Sequence, residues 1–380
     1  MSSHANPDIV TDGLAFIYDT GSGKSYKGEP TVNLAGSIVK NFSSWNGLTG
    51  STEYYTTSTG GQGVKLITTA SGGVQWYSFS TIYNIQASTQ YTISATVKYI
   101  GGTPHPNLLY VRQYDANGQT SESGKFTTAN ERDLGGGWKR IWRTFTTDAT
   151  TTHINLQGYE YTTGKTIHIQ DLQFEQKGHA TQFVNGTRST TQGLLDLTKN
   201  ETITLSNMSY DSNAQMSFDG TDDQFLISNP GVGTSFSIET VIKVDSYSNG
   251  PIFVSPNSVG IDHFFRVNSN GTIRANFVEV PDTANDGYTS TTVINTGEYY
   301  HVVISKTPSN GTIYVNGVAE DSHTPTLAAA AWTGAWRIGA RWNNTYNLNG
   351  EIPILKVYNK ALTAAEVLQS YNATKDRFIR

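Results

Sequence analysis

The sequence predicts an all-β protein with two β-sandwich units and one short helix near its C-terminal end. Composition is the first reason: 21 Tyr, 15 Phe, 7 Trp and 37 Gly stand beside only 15% charged residues. Aromatic residues favour strands, and glycine favours the tight turns that join them. The second reason is that apolar and polar residues alternate with a period of two along most of the chain. Only the end of the chain follows a helical pattern.

The first expected strand lies at residues 12–19, which read Asp-Gly-Leu-Ala-Phe-Ile-Tyr-Asp. Gly21, Gly28 and Pro30 then interrupt the pattern, because these residue types favour turns. We therefore interpret residues 1–30 as an N-terminal arm that carries one strand.

The first β unit extends over residues 31–184. Short segments of period-2 alternation are separated there by Gly, Pro, Asn or Asp. Strands are expected at residues 63–69, 74–81, 91–99, 108–114, 138–147, 152–161 and 166–175.

The second β unit extends over residues 185–380 and has the same pattern. Asn316-Gly317 is typical of a tight hairpin turn. Strands are expected at residues 215–219, 224–227, 235–244, 251–254, 263–267, 272–277, 299–306, 312–315, 335–338 and 350–358.

One helix is expected directly after the last strand. Thr363 and Glu366 have the spacing of a capping box, in which each side chain accepts a hydrogen bond from a backbone N–H that the helix leaves unpaired. Leu362 and Val367 occupy the positions of a hydrophobic staple. Four side chains are expected to pack against the sandwich: Leu362, Val367, Leu368 and Tyr371.

The second unit resembles the laminin-G-like members of the concanavalin-type jelly-roll superfamily. The segments that carry the resemblance are residues 216–227, 236–239, 300–304, 314–317 and 349–367. Residues 12–19 also resemble the first strand of that sandwich. The resemblance therefore implies that residues 31–184 are inserted into a loop of a discontinuous laminin-G-like unit.

Residues 31–184 resemble a jelly-roll carbohydrate-binding module, through the segments 91–98, 137–140 and 167–176. Together the two resemblances imply two antiparallel jelly-roll β-sandwiches with one short C-terminal helix. The tandem arrangement resembles structural proteins of tailed bacteriophages, notably those of cyanobacteria.

The resemblance to phage proteins implies a non-enzymatic virion structural protein, either a capsid decoration or a tail-fibre component, that displays lectin-like domains for adhesion to host-surface glycans. It would be made in the host cytoplasm, be present in many copies on a particle, and contact other virion proteins. The alternative is a secreted carbohydrate-binding protein, or a non-catalytic accessory module of a polysaccharide-degrading system.

Charge and cysteine content disfavour several other classes. The net charge of −5 comes without runs of like charge, so we expect no nucleic-acid partner. The sequence has no cysteine, which excludes thiolate catalysis and cysteine metal sites. No apolar stretch approaches a membrane span, and residues 1–7 lack the pattern of a secretory signal. We expect neither membrane insertion nor secretion by that route.

Catalytic motifs are not found in the sequence. A glucanase on this sandwich would carry Glu-x-Asp-x-x-Glu on one strand, and no glutamate begins that pattern. No Gly-x-Ser-x-Gly motif occurs. Residues 21–25, Gly-Ser-Gly-Lys-Ser, resemble the end of a phosphate loop, but Tyr18 occupies the position of its first glycine. We therefore expect no enzymatic activity.

The first unit contains a candidate sugar-binding face. In three expected strands aliphatic residues alternate with aromatic, amide or charged ones. Rings can stack on the apolar face of a sugar, while amides and Arg bind its hydroxyls. The alternatives are an ordinary solvated sheet face or a protein–protein interface. The candidate residues are Tyr110, Arg112, Tyr114, Asn155, Gln157, Tyr159, His168 and Gln170.

Calcium is the one cofactor that the sequence suggests, and none is required for the predicted function. Asp219, Asp222 and Asp223 form an acidic turn between two expected strands, and Ca²⁺ prefers carboxylate and carbonyl oxygens. Asp171 lies where the resemblance to carbohydrate-binding jelly rolls implies another Ca²⁺ ligand. The alternatives are a solvated Asx turn and a carboxylate bonded to backbone amides.

Overall fold

The computed structural model describes residues 8–35, 50–60, 62–68, 75–102, 108–123, 130–160, 164–211, 214–254, 263–277, 287–324, 335–341 and 346–379. Within these ranges the chain consists of antiparallel sheets and one C-terminal helix, which confirms the predicted fold class. No helix in the same ranges is long and apolar enough to cross a membrane.

Strand β1 comprises Leu14–Asp19. The next strands are β2 (Thr31–Val32), β3 (Gly50–Thr56), β4 (Gln62–Thr68), β5 (Gln75–Tyr83), β6 (Gln90–Ile100), β7 (Tyr110–Asp115), β8 (Gly118–Ser123), β9 (Glu131–Gly135), β10 (Trp138–Thr146), β11 (His153–Glu160), β12 (Thr166–Glu175) and β13 (Thr187–Arg188).

The remaining elements are β14 (Thr204–Ser206), β15 (Ser209–Tyr210), β16 (Met216–Asp219), β17 (Gln224–Ile227), β18 (Phe236–Ser246), β19 (Pro251–Val254), β20 (Phe264–Val267), β21 (Thr272–Asn276), β22 (Tyr288–Val293), β23 (Tyr299–Lys306), β24 (Gly311–Val315), β25 (Val318–His323), β26 (Trp336–Ile338), β27 (Asn349–Tyr358) and helix α1 (Ala364–Phe378).

The chain forms two compact units. The larger one, the helix unit, consists of the residues up to Gly28, Thr190–Asp211 and the residues from Gln215 onward. The smaller one, the insert unit, consists of Glu29–Ser189 and Ser212–Ala214. The chain leaves the helix unit within a few residues of the boundaries expected at 30 and 184. That these units are the domains expected from the sequence stays a prediction.

Within the helix unit, the segment that leads into the insertion lies beside the segment that returns from it. The Lys27 N–H donates to the Gly193 carbonyl at 2.8 Å, and the Leu195 N–H donates to the Ser25 carbonyl at 2.9 Å. The two ends of the insertion therefore begin from neighbouring points.

The helix unit contains two sheets. Sheet I has the order β15-β16-β27-β18-β23-β24-β25, and β1 also pairs with β27. Phe16 lies opposite Val357 and Tyr18 opposite Leu355. The strand near the start of the chain therefore belongs to the same sheet as the last strand. Sheet II has the order β14-β17-β26-β19-β20-β21-β22.

Helix α1 begins with the expected capping box. The Glu366 N–H donates to Thr363 Oγ1 at 3.3 Å, and the Thr363 N–H donates to Glu366 Oε2 at 2.8 Å. Leu362 and Val367 are buried, as expected. Leu368 is 48% exposed, but a Cβ at Gly317 would lie 3.2 Å from its Cδ1, so only part of this side chain packs on the sandwich. It is adjacent to Val367 in the chain, and adjacent helical residues face different directions.

The edge strand β22 of sheet II is covered by carboxylates from β25, the edge strand of sheet I. The Thr289 N–H donates to Asp321 Oδ2 at 2.7 Å, and the Thr292 N–H donates to Glu320 Oε2 at 2.7 Å. Side-chain oxygens thus take the place that a further strand would occupy.

The insert unit contains sheet III, with the order β3-β4-β12-β6-β10-β9, and sheet IV, with the order β5-β11-β7-β8. The short pair β2–β13 lies at its two chain ends. Its core includes Tyr91 and Phe174, whose rings stack with centroids 5.2 Å apart. Inward-facing aliphatic residues of both sheets form the rest, which leaves the opposite faces of these sheets for polar side chains.

Candidate functional site

Sheet IV carries three aromatic rings side by side, one from each of strands β5, β11 and β7. His153 lies opposite both Tyr83 and Tyr114 in the strand register. The His153 ring stacks on Tyr114 at 4.9 Å and on Tyr83 at 5.4 Å between centroids. Tyr83 is 68% exposed, and its strand is at the edge of the sheet. We call these three residues the aromatic row.

Polar side chains lie beside the aromatic row. Asn155 is two residues from His153 and therefore points to the same side of β11. It lies opposite Thr81 and Arg112, and the Thr81 hydroxyl donates to Asn155 Oδ1. A hydroxyl, a carboxamide and a guanidinium thus flank the rings at a distance of about 7 Å along the strands.

Tyr110 differs from the expectation. Its side chain is fully buried, and its hydroxyl donates to Gln157 Oε1 at 2.8 Å. The Arg112 guanidinium carbon lies 5.7 Å from the centre of the Tyr110 ring. Tyr110 therefore lies beneath Gln157 and Arg112, contacts both, and is not available to stack on a ligand. The side chains of Tyr114, Asn155 and Gln157 are half-buried and remain partly accessible.

His168 and Gln170 do not join this face. Their strand β12 pairs with β4 and β6 in sheet III, whereas β7 and β11 are neighbours in sheet IV. Period-2 alternation gives the side of a strand on which a residue lies, but not the sheet that the strand joins. The side chain of Tyr159 lies outside the described part of the structure.

Two members of the aromatic row were not among the predicted site residues. His153 continues the alternation of Asn155 and Gln157, so its position could have been inferred from spacing. Tyr83 lies two residues beyond the expected end of its strand at Thr81, and strand ends are poorly defined by sequence.

The structure brings together the three carboxylates of the acidic turn in the helix unit, and that they bind calcium stays a prediction. Oxygens of Asp219, Asp222 and Asp223 lie within 4.8 Å of one another. Asp223 is 1% exposed, and its buried Oδ1 has no hydrogen-bond partner in the part of the chain that the structure describes. Burial raises the pKa of Asp223 to about 6. An unpaired buried oxygen among carboxylates fits Ca²⁺. The Thr221 N–H also donates to Asp219 Oδ1 at 2.7 Å, as in an Asx turn.

Asp171 takes part in hydrogen bonds at strand β12 of sheet III, and its role as a calcium ligand stays a prediction. Its Oδ1 accepts hydrogen bonds from the hydroxyls of Thr59 at 2.6 Å and Thr57 at 3.4 Å. Its carbonyl accepts from Arg140 Nη1 at 2.6 Å. In the described ranges it belongs to no group of carboxylates at metal-binding distance. Asp171 lies at a bulge of β12, where these hydrogen bonds join it to its neighbours.

A family model described as the concanavalin A-like lectin/glucanases superfamily matches residues 219–368. The matched residues lie within the helix unit, and the match supports the predicted laminin-G-like fold of this unit. No curated protein matches the sequence.

Several solved structures are similar to parts of the chain. Domain 4 of AbnA, an arabinanase from Geobacillus stearothermophilus determined with arabinotriose, is 16% identical, with a TM-score of 0.38 and coverage of 48% of this chain and 93% of that one. A sialidase from Trypanosoma rangeli is 15% identical, with a TM-score of 0.39, and the matched part covers 48% of this chain and 31% of that one. A SAP-like pentraxin from Limulus polyphemus is 21% identical, with a TM-score of 0.32 and coverage of 40% and 78%.

Proposed function

We propose that the chain is a non-enzymatic glycan-binding protein and that its insert unit holds saccharides on the outer face of sheet IV. The observation that carries the proposal is the aromatic row with Asn155, Thr81 and Arg112 beside it. This combination supplies the two kinds of contact that a sugar needs, because apolar ring faces stack on aromatic rings and hydroxyls bind amides and guanidinium groups.

Within the row, Tyr83 is the ring that a sugar would contact first. One side of this ring lies against His153, and in the described ranges no strand follows β5 on its other side. Because His153 is in turn stacked on Tyr114, the Tyr83 ring is held in place before a ligand arrives. A preorganised contact loses less conformational entropy on binding.

We also propose the location that is expected from the sequence, which is a virus particle. The chain would be a virion structural protein, on a capsid or a tail fibre, in contact with other virion proteins. Many copies on one particle would multiply a weak affinity per site. This setting rests on the tandem arrangement of the two sequence resemblances. The second candidate, a secreted carbohydrate-binding or accessory module, uses the same face.

The surroundings of two carboxylates support a role without catalysis. Glu239 is 1% exposed and is enclosed by Lys356, His301 and Ser370. Glu351 accepts hydrogen bonds from Tyr299 and Lys243. Each of these carboxylates therefore already has hydrogen-bond donors within the fold.

The test is a glycan array with the multimerised full chain, comparing wild type with Tyr83→Ala. Tyr54→Ala is the matched control, because Tyr54 is another exposed tyrosine of the insert unit, at 51%. We expect Tyr83→Ala to weaken binding to neutral glycans about three- to tenfold. Equal binding by Tyr83→Ala and wild type, or no glycan bound by either, would reject the proposal. Mass spectrometry of purified particles tests the virion setting separately.

A further inference from the structure

Sheet III carries its own line of side chains in strict register. Glu53, Lys65, His168, Lys98 and Trp138 lie opposite one another on β3, β4, β12, β6 and β10. We call these residues the sheet III row. Four gaps between neighbouring strands give it a length of roughly 19 Å. This length suits an extended oligosaccharide better than a single sugar ring.

The sheet III row is cationic around His168. Lys65 forms an ion pair with Glu53 at 3.0 Å. Lys98 has no carboxylate within ion-pair distance in the described ranges, and its ammonium lies 6.0 Å from the centre of the Trp138 ring. Burial lowers the pKa of His168 most, and the positive charges of Lys65 and Lys98 lower it further. The negative charge of Glu53 acts in the opposite direction and raises this pKa. The ammonium of Lys98 therefore has no partner of opposite charge among the residues that the structure describes.

Aromatic rings stand on either side of His168. The Trp138 ring is 5.7 Å from it and the Tyr55 ring is 6.0 Å from it, both edge to face. The Tyr55 hydroxyl donates to Gln170 Oε1 at 3.1 Å. Tyr55 can lie across β4 because residue 63 is glycine: a Cβ there would be 2.3 Å from the Tyr55 ring.

An ordinary solvated sheet face would place opposite charges next to each other across strands. Glu53 and Lys65 follow that rule. Lys98 instead lies between His168 and Trp138, so its charge is directed to a surface lined by rings. In this arrangement the ammonium of Lys98 can pair with an anionic group of a ligand. The sugar ring that bears this group can pack against the aromatic rings.

We propose that the sheet III row is a second binding site, which takes an acidic saccharide through Lys98 and Trp138. The anionic group is a carboxylate or a sulfate on the sugar, and the ammonium of Lys98 is its partner. This site lies on a different sheet from the aromatic row. It is therefore independent of the glycan-binding face proposed above and would give the insert unit selectivity for charged polysaccharides.

The experiment is isothermal titration calorimetry of the full chain with a short oligogalacturonate. The same oligosaccharide with its carboxylates methyl-esterified is the neutral control, and a sulfated oligosaccharide separates the two sources of charge. We expect the acid to bind more tightly than the ester by about tenfold, with an affinity that falls as salt increases.

Two variants complete the test. Lys98→Met should lower the affinity for the oligogalacturonate about tenfold. Lys24→Met, which removes an exposed lysine of the helix unit, should leave that affinity unchanged. Binding of the sulfated probe that also depends on Lys98 would support the proposal with sulfate as a source of the charge. Equal affinity for acid and ester, no binding of any charged probe, or equal affinity of Lys98→Met and wild type would overturn the proposal.

The two sites can fail separately. Tyr83→Ala should keep its affinity for the oligogalacturonate, and Lys98→Met should keep its binding to neutral glycans. If Tyr83→Ala alone abolished oligogalacturonate binding, the acid would bind on sheet IV and the sheet III row would not be a site.

Discussion

Lys356 Nζ lies 2.6 Å from Glu239 Oε1, and both side chains are 1% exposed. Ser370 of helix α1 also donates to Glu239 Oε1, at 2.6 Å, and Tyr358 donates to Oε2 at 3.1 Å. Burial alone would raise the pKa of Glu239, but Lys356 and His301 hold it well below its ordinary value. An ionised pair thus joins two strands of sheet I to the helix.

Glu239→Gln should strongly destabilise the helix unit. It leaves the Lys356 ammonium buried without a counter-charge, which typically costs about 3–5 kcal/mol. Chemical denaturation measures the change. Lys360→Met, which breaks the more exposed contacts of Lys360 with Asp12 and Glu366, is the control and should have a much smaller effect. Similar losses for both variants would contradict the assignment.

Thr363→Ala should lower the free energy of unfolding by about 1 kcal/mol, because it removes the side chain that caps α1. Thr363→Ser keeps the hydroxyl and should retain most of the stability. An unchanged denaturation midpoint for the alanine variant would show that the capping box does not stabilise the helix unit.

The stability of the insert unit should depend on pH through Glu29 and His179. The His179 Nε2 lies 2.6 Å from Glu29 Oε2, and this hydrogen bond raises the pKa of His179 above 6.5. A raised pKa means that the contribution of His179 is complete below 6.5 and is lost as the pH rises through the folded value. The melting temperature of wild type should therefore approach that of His179→Gln on the alkaline side.

On the acid side Glu29 should dominate. Burial would raise its pKa, but hydrogen bonds from His179 and Lys177 lower it below 4.5. Its contribution is present above 4.5 and is lost as the pH falls through the folded value. A difference between wild type and His179→Gln that did not change with pH would refute this pair of assignments.

Calcium should stabilise the helix unit if the acidic turn binds it. Asp223 must lose its proton to act as a ligand, so the increase in melting temperature with Ca²⁺ should grow as the pH rises through about 6. Asp223→Asn should abolish the increase, and Asp245→Asn, at a half-exposed carboxylate, should not. If Ca²⁺ does not change the melting temperature of wild type, the acidic turn is a solvated Asx turn and not a calcium site.

The insert unit should be removable. Because Lys27 is hydrogen-bonded to Gly193, a short Gly-Ser linker can join Gly28 to Thr190 without straining the helix unit. We expect the shortened chain to melt cooperatively. Loss of a cooperative transition would mean that the helix unit needs the insertion to fold.

Local signals explain what could be predicted from the sequence. The capping box of Thr363 and Glu366 needs only a spacing of three residues, and alternation marked most of the strands. Assignment to a sheet was not accessible, because β12 alternates like β11 whichever partner it takes. The burial of Tyr110 was not accessible either, since it depends on tertiary neighbours. His153 and Tyr83 became a site only when the register placed their rings together.

The carboxylates of Glu320 and Asp321 at the edge of β22 affect how copies of the chain can associate when they are close together. An exposed edge strand is a template on which a strand of another molecule can add. Here the N–H groups of Thr289 and Thr292 are already occupied, so a foreign strand would have to displace two acidic side chains and face their negative charge. Copies of the chain held close together would therefore be protected at this edge from joining into a continuous sheet.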